Sequence, residues 1–427
     1  MVMFQRHWLW RHCVAALLLA SAFGAGAAGI YETVELRKRE PNDLMDTAAQ
    51  FHEQFGRRSL LYAEQGVVDL VQRIGSDLAP RATDDYIEYR FGVIRDPSPN
   101  AFAMPNGDIY VHTGMLARLE DSSQLAALLA HEINHVAGHH GILQYRITAK
   151  KLLIDMFGGG LASLMTQLRF SRELEQEADN RAPQLLAGTA YDPHGMPELL
   201  EALAEDFEGL RPRIASIWTT HPDPDARVEE SRLMVADLPS KERDVDAFDA
   251  IVFPLRAITL RDYIQDDYPY TAIALAERFL ERYPEELEFR ILLGDAWQRL
   301  GPRSEFAPDD FTNRDKRRNL RQRVFKTRQE REQALLETEA GRQAYSANLN
   351  YARKTYQRVV DMDSSYAPAY RGLGEVAEKL NQPREAARQY LEYLNRAPDA
   401  TDRSIIIGRL TAIRDLLTEE ENGNAGE

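Results

Sequence analysis

Residues 131 to 135 read His-Glu-Ile-Asn-His, and the two histidines of this pentapeptide come together only if the segment is helical. Side chains four residues apart lie one turn from each other on one face of an α-helix, with Cβ atoms about 5–6 Å apart. Two imidazoles at that distance can bind one metal ion, and a carboxylate beside them can take a proton from water. The pattern therefore predicts a zinc site with His131 and His135 as ligands and Glu132 as base. The alternative is a chance pattern on an exposed helix.

The surroundings of the pentapeptide favour a buried helix. Three polar residues at positions 121–123 are N-cap candidates. Apolar residues then recur at three- and four-residue spacing, at Leu125, Leu128, Leu129, Ile133 and Val136. One face of the helix is therefore expected to pack into a core, with the histidines beside that face.

A third metal ligand is predicted on a second helix. Zinc proteases with the pattern H-E-x-x-H-x-x-G-x-x-H would need a histidine at position 141, where this chain has glycine. His139 and His140 are out of register, and we interpret them as a polar helix end. In segment 171–179, Glu175 and Asp179 share one helical face. In glutamate-type sites the glutamate binds the metal and a carboxylate one turn later accepts the N–H of a ligating imidazole, although a solvated acidic helix is the alternative.

Three motifs, taken in this order, resemble the HtpX-type and CaaX-endopeptidase-type zinc metallopeptidases. They are Asn100-Ala-Phe-Ala-Met-Pro-Asn-Gly-Asp-Ile-Tyr-Val-His-Thr-Gly-Met-Leu116, the pentapeptide 131–135, and Glu175-Gln-Glu-Ala-Asp179. Within that family the chain is most similar, over most of its length, to a soluble periplasmic branch with appended tetratricopeptide repeats. The resemblance implies that His131, His135 and Glu175 bind one Zn²⁺. It also implies that Glu132 is the catalytic base.

A further stretch, Thr220-His-Pro-Asp-Pro-Asp-Ala-Arg227, resembles the family's His-Pro-x-Pro-x-x-Arg segment, with acidic residues at 223 and 225. The implied reaction is peptide hydrolysis. Zinc lowers the pKa of water from about 15.7 towards about 7, so Glu132 can take its proton and later return it to the leaving amine. Arg227 and His221 are both candidates for a second donor to the oxyanion. His221 is alternatively a fourth zinc ligand that keeps the site closed until its loop moves.

The segment before the pentapeptide predicts a hairpin or small β-sheet beside the metal helix. Residues 86–94 and 100–111 alternate β-forming residues, and the second stretch surrounds a turn at Pro105-Asn-Gly107. An exposed edge there would bind an extended peptide through its backbone, which suits unfolded substrates. A core strand pair with no substrate role is the alternative.

The first 27 residues have the pattern of a secretory signal peptide. A basic stretch comes first, an apolar core too short to span a bilayer follows at 14–23, and Ala25-Gly-Ala27 suits cleavage. Cys13, the only cysteine, precedes the apolar core, so we expect neither a lipid anchor nor a disulfide. A periplasmic location follows. Removing the peptide takes the net charge from −15 to −17, because it holds two arginines and no acid, and this argues against nucleic acid as a partner.

The length of 427 residues allows two domains. We predict a zinc metallopeptidase domain at 28–253, a tetratricopeptide-repeat domain at 254–420 and a disordered tail at 421–427. Residues 152–165 are apolar, but a membrane span needs about 20 residues, so we interpret them as a buried or lid-forming helical hairpin. Peripheral contact with the outer membrane is a further expectation.

The last third of the chain contains a spaced repeat. Two residue pairs lie 34 positions apart, the tetratricopeptide period: Ala352 with Ala386 and Tyr356 with Tyr390. Two pairs lie 80 positions apart: Ala272 with Ala352 and Gly294 with Gly374. An insertion of about 46 residues, at about 302–348, therefore divides one repeat between its two helices. It contains a basic segment with Arg314, Lys316, Arg317, Arg318, Arg321, Arg323, Lys326 and Arg328, interpreted either as solvated or as a helix that docks on the catalytic domain or an anionic partner.

Helical-hairpin repeats stack into a curved array whose concave side binds partners. The expected fold is mainly α: a zincin-like metalloprotease domain, with helices and a small β-sheet or hairpin, followed by an α-solenoid. The resemblance implies unfolded or misassembled outer-membrane protein precursors as substrates and the outer-membrane β-barrel assembly machinery as a partner. We predict a periplasmic zinc endopeptidase of envelope quality control that degrades these precursors and assists their assembly. The alternative is a repeat-based chaperone or scaffold with a latent metal site.

Overall fold

The computed structural model describes residues 52–53, 55–57, 60–82, 87–141, 170–210, 224–303 and 328–424 of the chain. The predicted signal peptide at 1–27, the apolar segment 152–165, His221 and the basic segment 314–326 lie outside these residues. No helix in the described part of the chain combines the length and the apolar character that a membrane crossing requires.

Helices dominate the described residues, so the predicted mainly-α class is confirmed. The first elements are α1 (Gln65–Leu78), a 3-10 turn (Ala79–Arg81), β1 (Arg90–Ile94), β2 (Ala101–Ala103), β3 (Asp108–His112), α2 (Thr113–Leu116) and α3 (Ser122–Ala137). They are followed by α4 (Arg172–Ala187), α5 (Gly195–Leu210), α6 (Pro224–Val235) and α7 (Val245–Gln265). The C-terminal helices are α8 (Pro269–Arg282), α9 (Leu287–Leu300), α10 (Arg328–Leu336), α11 (Glu339–Met362), α12 (Ala367–Lys379), α13 (Pro383–Arg396) and α14 (Arg403–Asn424).

The predicted small β-sheet is present and has three strands in the order β1-β3-β2. β2 and β3 form an antiparallel hairpin, whereas β1 pairs in parallel with β3. The hairpin turn requires Gly107, which has a φ of 92° and where a Cβ would lie 2.4 Å from the carbonyl oxygen of Glu88. Leu61 forms a bridge to Ile94 on the outer side of β1, so β2 is the opposite edge of the sheet.

Helix α3 lies at the centre of the N-terminal half, as its apolar spacing predicts. Asp121 caps it, because Oδ1 of this residue accepts hydrogen bonds from the N–H groups of Ser123 and Gln124 at 2.8 and 2.9 Å. Every residue from 122 to 136 is buried, and the helix contacts α1, β2, α4 and α5. The pentapeptide at 131–135 therefore lies inside the protein.

Helix α7 joins the two halves of the chain. The predicted domain boundary near residue 253 falls inside α7, and the largest hydrophobic cluster continues from α1 through α7 to α12. Arg95, which follows β1, donates two hydrogen bonds to Asp262 of α7 at 2.9 and 3.1 Å. The backbone N–H of Ser122, at the start of α3, donates to Asp244 just before α7 at 2.9 Å. The N-terminal half therefore packs directly on this helix.

In the C-terminal half, residues 34 positions apart occupy equivalent places. Four of them are fully buried: Ala352, Ala386, Tyr356 and Tyr390. A Cβ at Gly294 would lie 2.4 Å from the ring of Tyr356. A Cβ at Gly374 would lie 2.6 Å from the ring of Tyr390. Each tyrosine ring therefore packs against a glycine that leaves space for it. The assignment of tetratricopeptide repeats stays a prediction.

The described part of the predicted insertion is helical. α10 and the beginning of α11 fall within 302–348, and α11 continues to Met362. Asp267, between α7 and α8, lies 3.0 Å from Arg303 and 3.5 Å from Arg328, which flank the undescribed residues 304–327. The described residues on either side of this stretch thus contact one carboxylate. At the C-terminus, α14 extends to Asn424 and includes part of the predicted tail.

Candidate metal centre

Three predicted ligands, His131, His135 and Glu175, converge on one point. The Nε2 atoms of the two histidines are 2.9 Å apart. Glu175 places Oε2 3.6 Å from Nε2 of His131 and Oε1 3.4 Å from Nε2 of His135. Each side chain offers a ligand atom within 4.8 Å of the other two, and no residue of the three is more than 2% exposed. His221, the candidate fourth ligand, lies outside the described residues.

Two helices bring these ligands together. α3 carries both histidines, and α4 carries the glutamate in its first turn, just after the N-cap Ser171. Asn134, inside the pentapeptide, donates a hydrogen bond from its side-chain amide to the carbonyl oxygen of Ala178 on α4 at 3.2 Å. This bond lies between the levels of Glu175 and Asp179, so it helps to set the spacing of the two helices at the ligands.

Asp179 lies beside the first histidine, with Oδ1 2.8 Å from Nδ1 of His131. Arg227 of α6 donates to both oxygens of Asp179, at 2.7 and 2.9 Å, and its Nη1 is 3.1 Å from Oε2 of Glu175. Burial acts to raise the pKa of Asp179, but the charge of Arg227 and the hydrogen bond with His131 outweigh it and hold that pKa well below its usual range. Asp179 is therefore an anion that accepts the Nδ1 proton of His131. The contacts of Arg227 favour a supporting role over that of oxyanion donor.

Glu132 lies beside the ligands and is fully buried. Burial, the largest influence, raises the pKa of Glu132 to about 7, while the nearby charge of His131 and a hydrogen bond with the backbone of Ala103 act in the opposite direction. Such a carboxyl group gains and loses a proton readily near neutral pH. A group that acts first as a base and then as an acid needs this property.

Strand β2 presents part of its backbone to the site. The N–H of Met104 bonds the carbonyl oxygen of Asp108 at 2.7 Å, so the even-numbered residues here pair with β3. In an antiparallel ladder the alternate residues direct their N–H and C=O groups the other way. The backbone of Ala103 therefore points away from β3, and its hydrogen bond with Glu132 shows that this edge faces α3.

His140 is a site residue that the sequence interpretation missed. The prediction of a polar helix end is wrong for it, because His140 is fully buried with its Nδ1 2.9 Å from Nδ1 of His135. α3 ends at Ala137 with Gly138 as its C-cap, and His139 adopts a φ of 54°, which turns the chain back over the helix end. Gly138 is the only sequence signal for this turn, and the histidine spacing does not indicate that the second ring would return.

Among the described residues, an aromatic ring covers one face of the ligand His135. The ring of Phe170, which precedes α4, stacks on His135 with the ring centroids 4.0 Å apart and 18° between the planes. The cavity between these rings and the β2–β3 turn measures about 10 Å³, which is roughly the room that one water molecule needs. A peptide can reach the ligands from this side only after Phe170 or a neighbouring segment moves.

The part of the chain that holds the site matches a known protein family. Residues 69–234 match the family model of peptidase family M48. This range begins in α1, ends in α6 and includes all the site residues described above.

Three curated proteins illustrate the similarity. The putative beta-barrel assembly-enhancing protease of Vibrio cholerae is 28% identical over 185 residues, covering 38% of this chain and 38% of that protein. The beta-barrel assembly-enhancing protease of Escherichia coli is 28% identical over 183 residues, covering 38% of this chain and 37% of that protein. The mitochondrial metalloendopeptidase OMA1 of Schizosaccharomyces pombe is 28% identical over 173 residues, covering 38% and 51%. The chain thus spans between 37% and 51% of the length of these relatives.

The resemblance inferred from the three sequence motifs is confirmed by these matches. Two helices of the matched region bring two histidines and a glutamate together at a point where a metal ion fits. Residues 69–234 of this chain therefore match peptidase family M48 over the whole of the candidate metal centre.

Proposed function

We propose that this chain is a zinc-dependent endopeptidase that cuts unfolded or misassembled outer-membrane protein precursors in the periplasm. One observation carries the proposal: two imidazoles and a carboxylate converge on a buried point beside the buried carboxyl group of Glu132. The family match supplies the reaction class, which is metal-dependent peptide hydrolysis.

The donor set suits zinc. Two imidazole nitrogens and one carboxylate are the ligands of several catalytic zinc sites, which keep a further position open for water or substrate. Because the anionic Asp179 accepts a hydrogen bond from Nδ1 of His131, the Nε2 of that ring carries a lone pair directed at the cluster. The residues present therefore fit the ion that the family implies.

A bound zinc ion and the surrounding side chains would contribute different parts of the hydrolysis reaction. A zinc ion at this point would polarise a peptide carbonyl and make water acidic enough to lose a proton near neutral pH. Glu132 accepts that proton as the base and then donates it to the leaving amine, a role for which its raised pKa suits it. Asp179 orients His131 through their hydrogen bond. Arg227 holds the carboxylates of Asp179 and Glu175 in place.

The edge of β2 supports an extended peptide as the substrate. The backbone of Ala103 points away from β3 and towards Glu132, so a strand that pairs along this edge would pass the metal ligands. Strand addition depends on backbone hydrogen bonds more than on side chains, which suits unfolded chains of varied sequence. Such binding requires Phe170 to leave its position over His135.

Location and partners rest on sequence features and on the relatives. The pattern of residues 1–27 supports export to the periplasm. Two relatives are named for enhancing β-barrel assembly, which supports outer-membrane precursors as substrates and the β-barrel assembly machinery as a partner. The predicted tetratricopeptide array at 254–420 would hold such a client while the zinc site cuts it.

The position of Phe170 over His135 favours a second candidate function. With Phe170 on His135, the described residues leave a cavity of about 10 Å³ on this side of His135, too little for a peptide bond to enter. A chaperone or scaffold whose C-terminal helices act on clients, and whose metal site is latent, would have this appearance. The two functions differ in whether the purified protein cuts a peptide chain.

Casein hydrolysis by the purified chain tests the proposal. We expect cleavage that a chelator abolishes and that Glu132→Gln lowers by about 10²–10⁴-fold, the usual contribution of a general base. Glu173→Gln, an exposed carboxylate on α4, is the control and should leave cleavage unchanged. Cleavage that persists with chelator and in Glu132→Gln contradicts a metallopeptidase. Zinc binding without cleavage by any form supports the latent site. Clients trapped by Glu132→Gln would then identify the substrates.

A further inference from the structure

The end of α3 is shaped so that His140 returns to the metal cluster. Gly138 caps the helix, and a Cβ at this position would lie 2.4 Å from Nε2 of His140. His139 has a φ of 54°, in the left-handed region that residues other than glycine rarely adopt. Gly138 leaves space for the ring of His140, and the uncommon backbone conformation of His139 directs the chain towards the metal cluster. The position of His140 is therefore a built feature of the fold.

His140 has a defined contact on each side. Its Nδ1 lies 2.9 Å from Nδ1 of His135, and its Nε2 lies 3.5 Å from Oε2 of Glu177 on α4. The two imidazole planes are 79° apart, so the contact is made edge to face rather than by stacking. Phe170 packs on both rings, with centroid distances of 4.0 Å to His135 and 6.2 Å to His140. The pair is thus shielded from water, where a hydrogen bond is strong.

The protons of this arrangement follow from the chemistry of imidazole. Nε2 of His135 faces His131 and Glu175, so when it binds a metal the proton of this ring is on Nδ1. The Nδ1–H of His135 then donates a hydrogen bond to Nδ1 of His140. The remaining proton of His140 is on Nε2, which faces the carboxylate of Glu177. The contact between the two Nδ1 atoms thus has one donor and one acceptor, whereas Nε2 of His140 lies 3.5 Å from the Glu177 carboxylate and makes no direct hydrogen bond with it.

We propose that His140, which lies beside Glu177, is a positioning residue that orients the zinc ligand His135. It fixes the tautomer and direction of that ring, as Asp179 does for His131, but with a neutral acceptor in place of a carboxylate. Outer partners of ligating histidines change metal affinity by about 10–100-fold. This inference rests on the proposed zinc site.

Two substitutions of His140 separate hydrogen bonding from packing. His140→Asn keeps an acceptor oxygen close to the place of Nδ1, whereas His140→Phe keeps the ring volume without an acceptor. We expect the zinc Kd of the purified full chain, measured by competition with a chromogenic chelator, to rise by about 10–100-fold in His140→Phe and by roughly threefold in His140→Asn. The d–d absorption bands of the Co²⁺-loaded chain should change in His140→Phe, because the direction of a ligand changes.

Two further variants keep the test decisive. Gly138→Ala changes no polar group but displaces His140, so it should weaken zinc binding about as much as His140→Phe does. Glu177→Leu should weaken it less, and Glu173→Leu, on the exposed face of the same helix, should not weaken it. Circular dichroism of the metal-free variants reports whether each is folded.

The outcomes separate this inference from the zinc site itself. If folded His140→Phe binds zinc as tightly as the unsubstituted chain, the ring only fills space and the positioning role is overturned. If His140→Asn binds zinc as weakly as His140→Phe, an acceptor at the place of Nδ1 has no effect and the role is overturned as well. If the unsubstituted chain binds no zinc, the zinc site fails together with the inference. Weak binding by His140→Phe and Gly138→Ala, with near-normal binding by His140→Asn, establishes the role.

Discussion

The metal centre and the C-terminal helices both bury polar side chains, but they arrange them differently. In the C-terminal half, buried polar side chains form hydrogen bonds with one another. The hydroxyl of Tyr356 donates to Asp295 at 2.6 Å and accepts from Gln298 at 2.7 Å. Lys379 extends this network by donating to Gln298 at 2.7 Å. In the metal centre, two imidazole nitrogens and a carboxylate face one another instead.

This difference separates structural from functional polar groups. Acceptors that converge in a buried place are unfavourable until a cation joins them, because no water is present to solvate them. A network in which each donor meets an acceptor needs no ligand. Around the metal centre, three residues lie outside the ligands and contact them: Asp179, Arg227 and His140.

Removing the positively charged side chain of Arg227 should have the largest effect on stability. Arg227→Met leaves Asp179 and Glu175 buried without their guanidinium, and we expect the free energy of unfolding to fall by about 3–5 kcal/mol. The control, Arg232→Met on the same helix, breaks a largely exposed pair with Glu201 and should leave the free energy of unfolding almost unchanged. Urea unfolding of the metal-free chains measures both. Equal changes in the free energy of unfolding for the two variants would mean that Arg227 does not stabilise the buried carboxylates of Asp179 and Glu175.

A substitution in the C-terminal half sharpens the comparison, because packing rather than charge organises that half. Gly374→Ala would place a Cβ 2.6 Å from the buried ring of Tyr390, and we expect a loss of about 1–3 kcal/mol from overpacking. Gly408→Ala on α14 meets no atom within 4 Å and should stabilise its helix by about 0.5–1 kcal/mol. Thermal unfolding reports both changes. Casein cleavage at 25 °C should be the same in both variants if the metal centre is unaffected.

A smaller, pH-dependent effect is expected from a fully paired carboxylate in the N-terminal half. Burial acts to raise the pKa of Asp192, but hydrogen bonds from His194, Lys241 and Arg243 lower it to about 2. Because this value is below the unfolded pKa of about 3.9, Asp192 stabilises the fold above that pH, and the contribution is lost as the pH falls towards about 2. Asp192→Asn should lower the Tm at pH 7 and flatten its decline between about pH 4 and 2. An unchanged decline would show that other groups control acid unfolding.

Several features of the fold are local and were predictable. Asp121 and the apolar spacing after it mark the start and the buried face of α3, because capping and helical periodicity depend only on near neighbours. The turn at Gly107 marks the β2–β3 hairpin for the same reason. The order β1-β3-β2 was not predictable, because the parallel pairing of β1 with β3 joins segments that no short turn connects.

For the candidate site, helical spacing alone places His131 with His135 and Glu175 with Asp179, because the period of a helix is a property of the backbone. The meeting of those two faces was predicted by analogy with glutamate-type zinc sites, whereas the contacts of Arg227 with both carboxylates and the places of Phe170 and His140 came only with the tertiary structure. Arg227 arrives from a third helix, and His140 arrives through a reversal of the chain at the end of α3. Contacts of this kind depend on how distant segments pack, and that packing is a property of the whole fold rather than of any one segment.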